Sequence, residues 1–225
     1  MSGKNATRER LLDATLVTVA EHGVAKASAR TIAARAEVNP ALIFYHFGSV
    51  EDLLGAACRR GAEQRVATHR AALHEVESFS DLVDVARRIH VTEREAGHVA
   101  VLGQLLAGTR SHEALAGAIS DGLGVWVQEV EAVLHRVFSG TVLSGVVDVP
   151  GLAHAMSAAF IGLELYEGAA PRGAERALAS LESLAGIIAV IDDLGPLERR
   201  VLERRLRSVP RPGPAGPPDP AEGGA

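Results

Sequence analysis

Ser28-Ala-Arg-Thr-Ile-Ala-Ala-Arg-Ala-Glu-Val-Asn-Pro-Ala-Leu-Ile-Phe-Tyr-His-Phe-Gly-Ser-Val-Glu-Asp-Leu-Leu54 decides the reading of this chain. The apolar spacing predicts two short helices, Ser28 to Ala36 and Asn39 to about Phe44, separated by a tight turn. Ile32, Ala33 and Ala36 are the right sizes to pack the first helix closely against Ile43 and Phe44 of the second. Two short helices in this arrangement seat the second in the major groove of DNA. Asn39, Pro40 and Leu42, near its start, are expected to face base edges. Tyr45 and His46, at its end, would reach phosphates. Ser28 and Arg30, in the first turn of the preceding helix, complete the expected contact set, and Arg35 is read as neutral. Phosphate contacts position a protein, whereas base contacts select the sequence.

Working outward, Thr7 is expected to cap a first helix running to about Glu21, with Leu12, Leu16 and Val19 inward and Gly23 as its stop. Ser49-Val50-Glu51-Asp52 has the form of a capping box and opens a further helix. Beyond it the pattern stays helical: Phe79 to Ala96, Val99 to Ala107, His112 to Phe138, Pro150 to Glu167, Glu175 to Ile191 and Leu197 to Arg207. In the third of these, Leu123, Val127, Val130, Leu134 and Val137 step as one face of a helix requires. The expected fold is therefore all-α: an N-terminal three-helix helix-turn-helix domain, residues 1–50, then a helical domain, 51–208. The Pro- and Gly-rich tail, 209–225, has too little apolar bulk to pack.

Composition fits this picture. Of the 225 residues, 47% are hydrophobic but only 4% aromatic, so Ala, Leu, Val and Ile must build the core. Cys58 is the single cysteine, which excludes an internal disulfide and suggests a buried thiol in a reducing compartment. No apolar run is long enough to cross a bilayer, and the first residues lack a secretory signal, so a cytoplasmic location is expected. The net charge is −5, yet residues 1–65 hold nine Lys and Arg against seven Asp and Glu. The acidic excess lies in the remainder, and electrostatics permits DNA binding without proving it.

Residues 7–54 resemble the DNA-binding domain of the tetracycline-repressor (TetR) family of bacterial regulators. The resemblance rests on Ser28, Arg30, Ile32, Ala33, Ala36, Val38, Ile43, Phe44, His46, Phe47, Ser49, Glu51 and Leu53, and on Arg10 to Ala14 through Gly23. It implies a homodimer on a palindromic double-stranded DNA operator, regulated by a small-molecule effector and more often a repressor than an activator. It also implies that helices 150–167 and 175–191 join their copies in a four-helix bundle. Three positions depart from the pattern. Glu37 stands in the turn where Gly is usual, and a positive φ there would cost about 1 kcal/mol. Ala41 replaces a second Gly, and Val50 replaces a Lys expected to touch phosphate.

Each functional reading has a plainer rival. His46 is also readable as a structural histidine. Trp126, Phe138, Phe160 and Tyr166 are candidates for lining an effector pocket among helices 79–167, or they are ordinary core. The nine histidines are scattered without partners at ligand spacing, so no metal site or cofactor is expected. Few charges are visible in the pocket region, which suggests an uncharged or modestly polar effector. No nucleophile elbow, phosphate loop or acid–base pair suggests an enzyme. The remaining alternative is a helical partner-binding protein with a degenerate DNA-binding head, to which Glu37, Val50 and the acidic balance point.

Overall fold

A computed structural model describes residues 3–109, 113–192 and 195–206, and among these there is no strand. Helix α1, Gly3–His22, begins a full turn ahead of Thr7, which therefore lies inside it rather than at its cap. Its apolar side is wholly buried at Leu11, Leu12 and Val19. The buried hydroxyls of Thr15 and Thr18 donate to the carbonyls of Leu11 (2.7 Å) and Ala14 (2.6 Å), so neither is left unsatisfied. Gly23, at φ +80°, ends the helix in a conformation a side chain would resist.

Helix α2, Ala29–Arg35, is opened by a reciprocal cap: the Ser28 hydroxyl accepts from the Thr31 amide, and the Thr31 hydroxyl accepts from the Ser28 amide. Helix α3 is Ala41–Phe47, later at both ends than the sequence reading placed it. The reason is local. Asn39 Oδ1 accepts from the Ala41 amide at 2.8 Å, a turn that holds the chain outside the helix until Pro40 opens it. Gly48, at φ +88°, then stops it. Helix α4, Val50–His74, is capped by Ser49, whose oxygen accepts from the Asp52 amide at 2.9 Å.

The α2–α3 turn holds the one non-glycine residue at positive φ among the described residues, Glu37 at +53°. Left-handed backbone costs an L-residue about 1–2 kcal/mol. Glu37→Gly is therefore expected to raise stability by about 0.5–1 kcal/mol, after allowance for the greater freedom of an unfolded glycine. Thermal unfolding of the two proteins side by side checks this, and an equal or lower midpoint would refute it.

The remaining helices are α5 (Phe79–Ala96), α6 (His98–Thr109), α7 (Glu113–Phe138), α8 (Val149–Glu167), α9 (Pro171–Asp192) and α10 (Pro196–Leu206). Ser78 and Asp81 cap α5 reciprocally, and Gly97 in the left-handed region turns the chain into α6. Pro171 begins α9, ahead of the expected start at Glu175, as the fixed φ of proline favours in a first turn. The tail 209–225 lies outside the described residues.

Two apolar clusters organise these helices. The first joins Leu12, Ile32, Ile43 and Leu53 to Leu105, Leu115 and Ile119, so the base of the body closes the core of the head. Leu53, Leu54, Ala57 and Cys58 of α4 belong to this cluster, and no gap in packing falls at residue 50. The second contains Leu82, Val85 and Ile89 of α5, the α7 face Val127, Val130, Leu134 and Val137, and Ala153 of α8.

The long helices α4 and α7 approach closely at Gly122. A Cβ there would lie 2.9 Å from Cys58 Sγ, 3.0 Å from the Arg59 amide nitrogen and 3.2 Å from its Cα. Backbone cannot swing aside as a side-chain tip can. Gly122→Ala is expected to lower stability by about 1 kcal/mol, because overpacking of about 1–3 kcal/mol exceeds the helix-propensity gain of about 1 kcal/mol. Chemical denaturation measures it; a stabilised variant would show that the helices can part freely.

Candidate DNA-binding head and internal cavity

With α3 beginning at Ala41, its sides are fixed by period: Ile43 is fully buried and Phe47 packs against the core, while Ala41, Phe44 and Tyr45 face outward. Phe44 is 54% exposed and Tyr45 67%. The expectation that Phe44 packs against α2 is thus corrected; Ile43 alone fills that role, against Ile32, Ala33 and Ala36. Pro40 and Asn39 are exposed at the start of the helix, and Leu42 is half-buried. His46 is half-buried too, with the Tyr45 ring edge-on to it at 5.1 Å. Tyr45 and His46 lie in the last turn of α3. Arg30 is exposed in the first turn of α2, and the Ser28 hydroxyl is engaged in capping. Val50 packs partly against the head core.

Charged contacts lock the head together. Arg35 of α2 pairs with Glu21 of α1. Arg60 of α4 reaches Glu9 at 3.2 Å and Asp13 at 2.8 Å, both on α1. The Arg8 guanidinium lies 5.2 Å from the centre of the Phe47 ring, joining α1 to α3. The recognition helix, α1 and the first turns of α4 are tied into a single packed body.

Behind this head lies a cavity of about 710 Å³ of empty space, part of it open to solvent. Its walls come from six helices, α1 and α4 to α8. Trp126 of α7 and Phe160 of α8 line it with ring centres 6.3 Å apart, alongside Leu102 and Leu123. Phe138 does not reach it; this ring stacks on Phe79 in the body core, 6.2 Å away. Tyr166 is 54% exposed and lies outside the lining as well. Two walls come from outside residues 79–167: Leu16 of α1, and Cys58, Ala62 and Arg65 of α4. Burial pushes the Cys58 thiol up to about 11, with Arg65 countering in part, so this sulfur stays protonated and unreactive.

The polar end of the cavity overturns the expectation of few charges. Glu93 of α5 is buried and accepts on both oxygens, from His69 Nε2 at 2.8 Å and His98 Nδ1 at 2.9 Å. Arg65 Nε stands 3.8 Å from the same carboxylate. One turn earlier, on another side of α5, His90 sits between two α8 carboxylates: Nδ1 is 2.5 Å from Glu164 and Nε2 is 2.9 Å from Glu167. Arg94 also reaches Glu167, at 2.6 Å. Burial raises the Glu164 carboxyl above the ordinary range, opposed by His90. Apart from Glu93 and His98, these partners are distant in sequence, so scanning for ligand spacing misses them. No group of three or more ligating side chains able to hold a metal occurs among the described residues.

A buried α2 supporting an α3 with an exposed outer face is a helix-turn-helix, and it places the chain among DNA-binding transcriptional regulators. Residues 11–57 match the family described as bacterial regulatory proteins, tetR family, so the head of this chain is similar to the DNA-binding domain of that family. A helix-turn-helix transcriptional regulator of Mycobacterium tuberculosis is 26% identical over 170 residues, covering 75% of this chain and 86% of that protein. A second protein from that organism, a transcriptional repressor, is 33% identical over 89 residues, 40% of this chain and 45% of the repressor. Among solved structures, a TetR-family regulator from Rhodococcus superposes with a TM-score of 0.66 at 20% identity, covering 80% of this chain and 98% of that one. The multidrug binding protein EbrR, complexed with imidazole, superposes at 0.55 with 28% identity, covering 77% of this chain and 93% of that one. No helix among the described residues is long and apolar enough to cross a membrane.

Proposed function

We propose that the protein acts as a homodimer on a palindromic DNA operator and releases or tightens its grip when a small molecule enters the cavity. One observation carries the ligand response: Leu16, on the first helix of the head, is itself part of the cavity wall. Arg60 fastens α1 to α4, which also lines the cavity, so a ligand that parts these walls moves the head with them. Two heads must present α3 about 34–36 Å apart, or near a multiple of that, to enter successive major grooves. By linkage, the operator changes effector affinity by the same factor that the effector changes operator affinity.

The outer face of α3 carries the base contacts in this reading, with Phe44 joining Pro40, Asn39, Leu42 and Tyr45. An exposed phenylalanine there suits the methyl group of thymine. Ser28, Arg30 and His46 act at the sugar–phosphate backbone or hold the elements that do. Selection from a randomised DNA library at two salt concentrations tests the reading: an enriched palindrome with salt-sensitive affinity supports it. Failure of the folded dimer to enrich any sequence would shift the weight to a partner-binding role. On the selected operator, Phe44→Ala is expected to cost about 1–3 kcal/mol and to relax preference at the contacted base pair. An unchanged sequence preference would remove Phe44 from the base-reading face.

A further inference from the structure

The geometry points to an amphipathic carboxylate as the effector, its anionic head on Arg65 and its apolar body between Trp126, Phe160, Leu102 and Leu123. This inference rests on the ligand-responsive reading above and names the chemistry of that same cavity.

The argument turns on which charged group at the polar end still has bonding capacity. Glu93 has little: each of its oxygens already accepts from a histidine, Oε1 from His69 and Oε2 from His98. A cationic ligand would have to share those oxygens with both histidines. Arg65 is in the opposite condition. Its nearest carboxylate contact, Nε to Glu93 Oε2, is 3.8 Å, beyond hydrogen-bond reach. No hydrogen bond from its guanidinium occurs among the described residues, yet its side chain is only 26% exposed. Burial disfavours the Arg65 charge and Glu93 restores only part of it. A guanidinium offers five donors in a planar fork that a carboxylate fits with two parallel bonds. A ligand carboxylate therefore supplies what the site lacks, while the aromatic and aliphatic walls take a hydrocarbon body. An uncharged ligand would fill the same walls and leave the Arg65 donors unmet, at a cost.

Trp126 is the only tryptophan of the chain and lines the cavity, so its emission reports occupancy directly. The test titrates the purified full-length protein with decanoate, methyl decanoate and decyltrimethylammonium, following Trp126 fluorescence. Decanoate is expected to bind at least about tenfold more tightly than either of the others, the discrimination of a charge-assisted pair. Arg65→Gln is expected to erase that preference while keeping ester binding. Arg65→Lys is expected to keep part of it, because the charge remains and the fork is lost. Equal or tighter binding of the ester or the ammonium compound to the wild-type protein would overturn the proposal. So would undiminished decanoate binding by Arg65→Gln. The wild-type ratio among the three probes decides the matter even if a variant folds poorly. Silence of Trp126 toward all three would also overturn it. Operator selection by the same preparation would then show that DNA binding stands and only the assignment of the cavity has failed.

Discussion

Replacing His90 with leucine is expected to cost about 3 kcal/mol of stability, among the largest losses available to a single substitution in the body. The side chain is 4% exposed, as is that of Glu164, and Glu167 is 16% exposed. A carboxylate oxygen lies against each ring nitrogen, at 2.5 and 2.9 Å, so the imidazole stands between the two acids. Leucine fills similar space but leaves two buried carboxylates facing each other, with Arg94 serving only Glu167. The loss has a predictable pH dependence. Without His90 the Glu164 carboxyl rises further, so the folded protein binds a proton that the unfolded chain has released. Stability is then fully expressed below the ordinary carboxylate range and declines as pH rises through the raised value. The deficit of His90→Leu relative to wild type should therefore shrink on acidification, as read from denaturation midpoints across pH. Glu164→Gln is expected to be much milder, since burial already favours its neutral form. A small, pH-independent loss for His90→Leu would show the cluster to be solvated.

That cluster also marks the limit of what sequence periodicity reveals. The helices were legible because their signals are local: the Ser49 cap, the stripe Val127, Val130, Leu134 and Val137, and the small residues of α2. Boundaries erred where side chains act on backbone. Asn39 delays α3, and this shifts which residues face outward, so Phe44 changed sides with it. Glu37 was readable from the resemblance as a strained turn residue, and its φ of +53° agrees. The cavity was only half legible. Trp126 and Phe160 stood out as rare aromatics in an aliphatic chain, but so did Phe138 and Tyr166, which pack elsewhere. Arg65, Glu93 and His98 carry no local signal, because their meeting depends on how α4, α5 and α6 pack. A pairing across 24 residues, such as His69 with Glu93, leaves no periodic trace.

The other large effect is expected at the outer flank of α8 and α9. In the isolated chain Leu181 is 45% exposed, Leu184 53% and Ile187 57%. Beside them on α8, Ala155, Ala158, Ala159 and Gly162 are exposed, and Gly162 has open space where a Cβ would stand. Small residues at helical spacing let another helix approach closely, and the leucines and isoleucine of α9 supply the apolar area to hold it. A patch of this kind on a monomer calls for a partner. A second copy of the chain is the occupant proposed here, since a two-fold interface pairs the patch with itself. Leu184→Glu combined with Ile187→Glu would bury four carboxylates across that interface, and the dimer should fall to monomer in light scattering at micromolar concentration. Operator affinity is then expected to drop by about 10²-fold or more, because each head must bind alone and the gain from linking two half-sites is lost. Binding of the monomer to a single half-site should survive, as α3 packs in the first apolar cluster and neither Leu184 nor Ile187 belongs to it. If the doubly substituted protein remains dimeric, the interface lies elsewhere. If it is monomeric yet binds the palindrome unweakened, the head does not depend on paired spacing, and the linkage between cavity and operator must run within one chain.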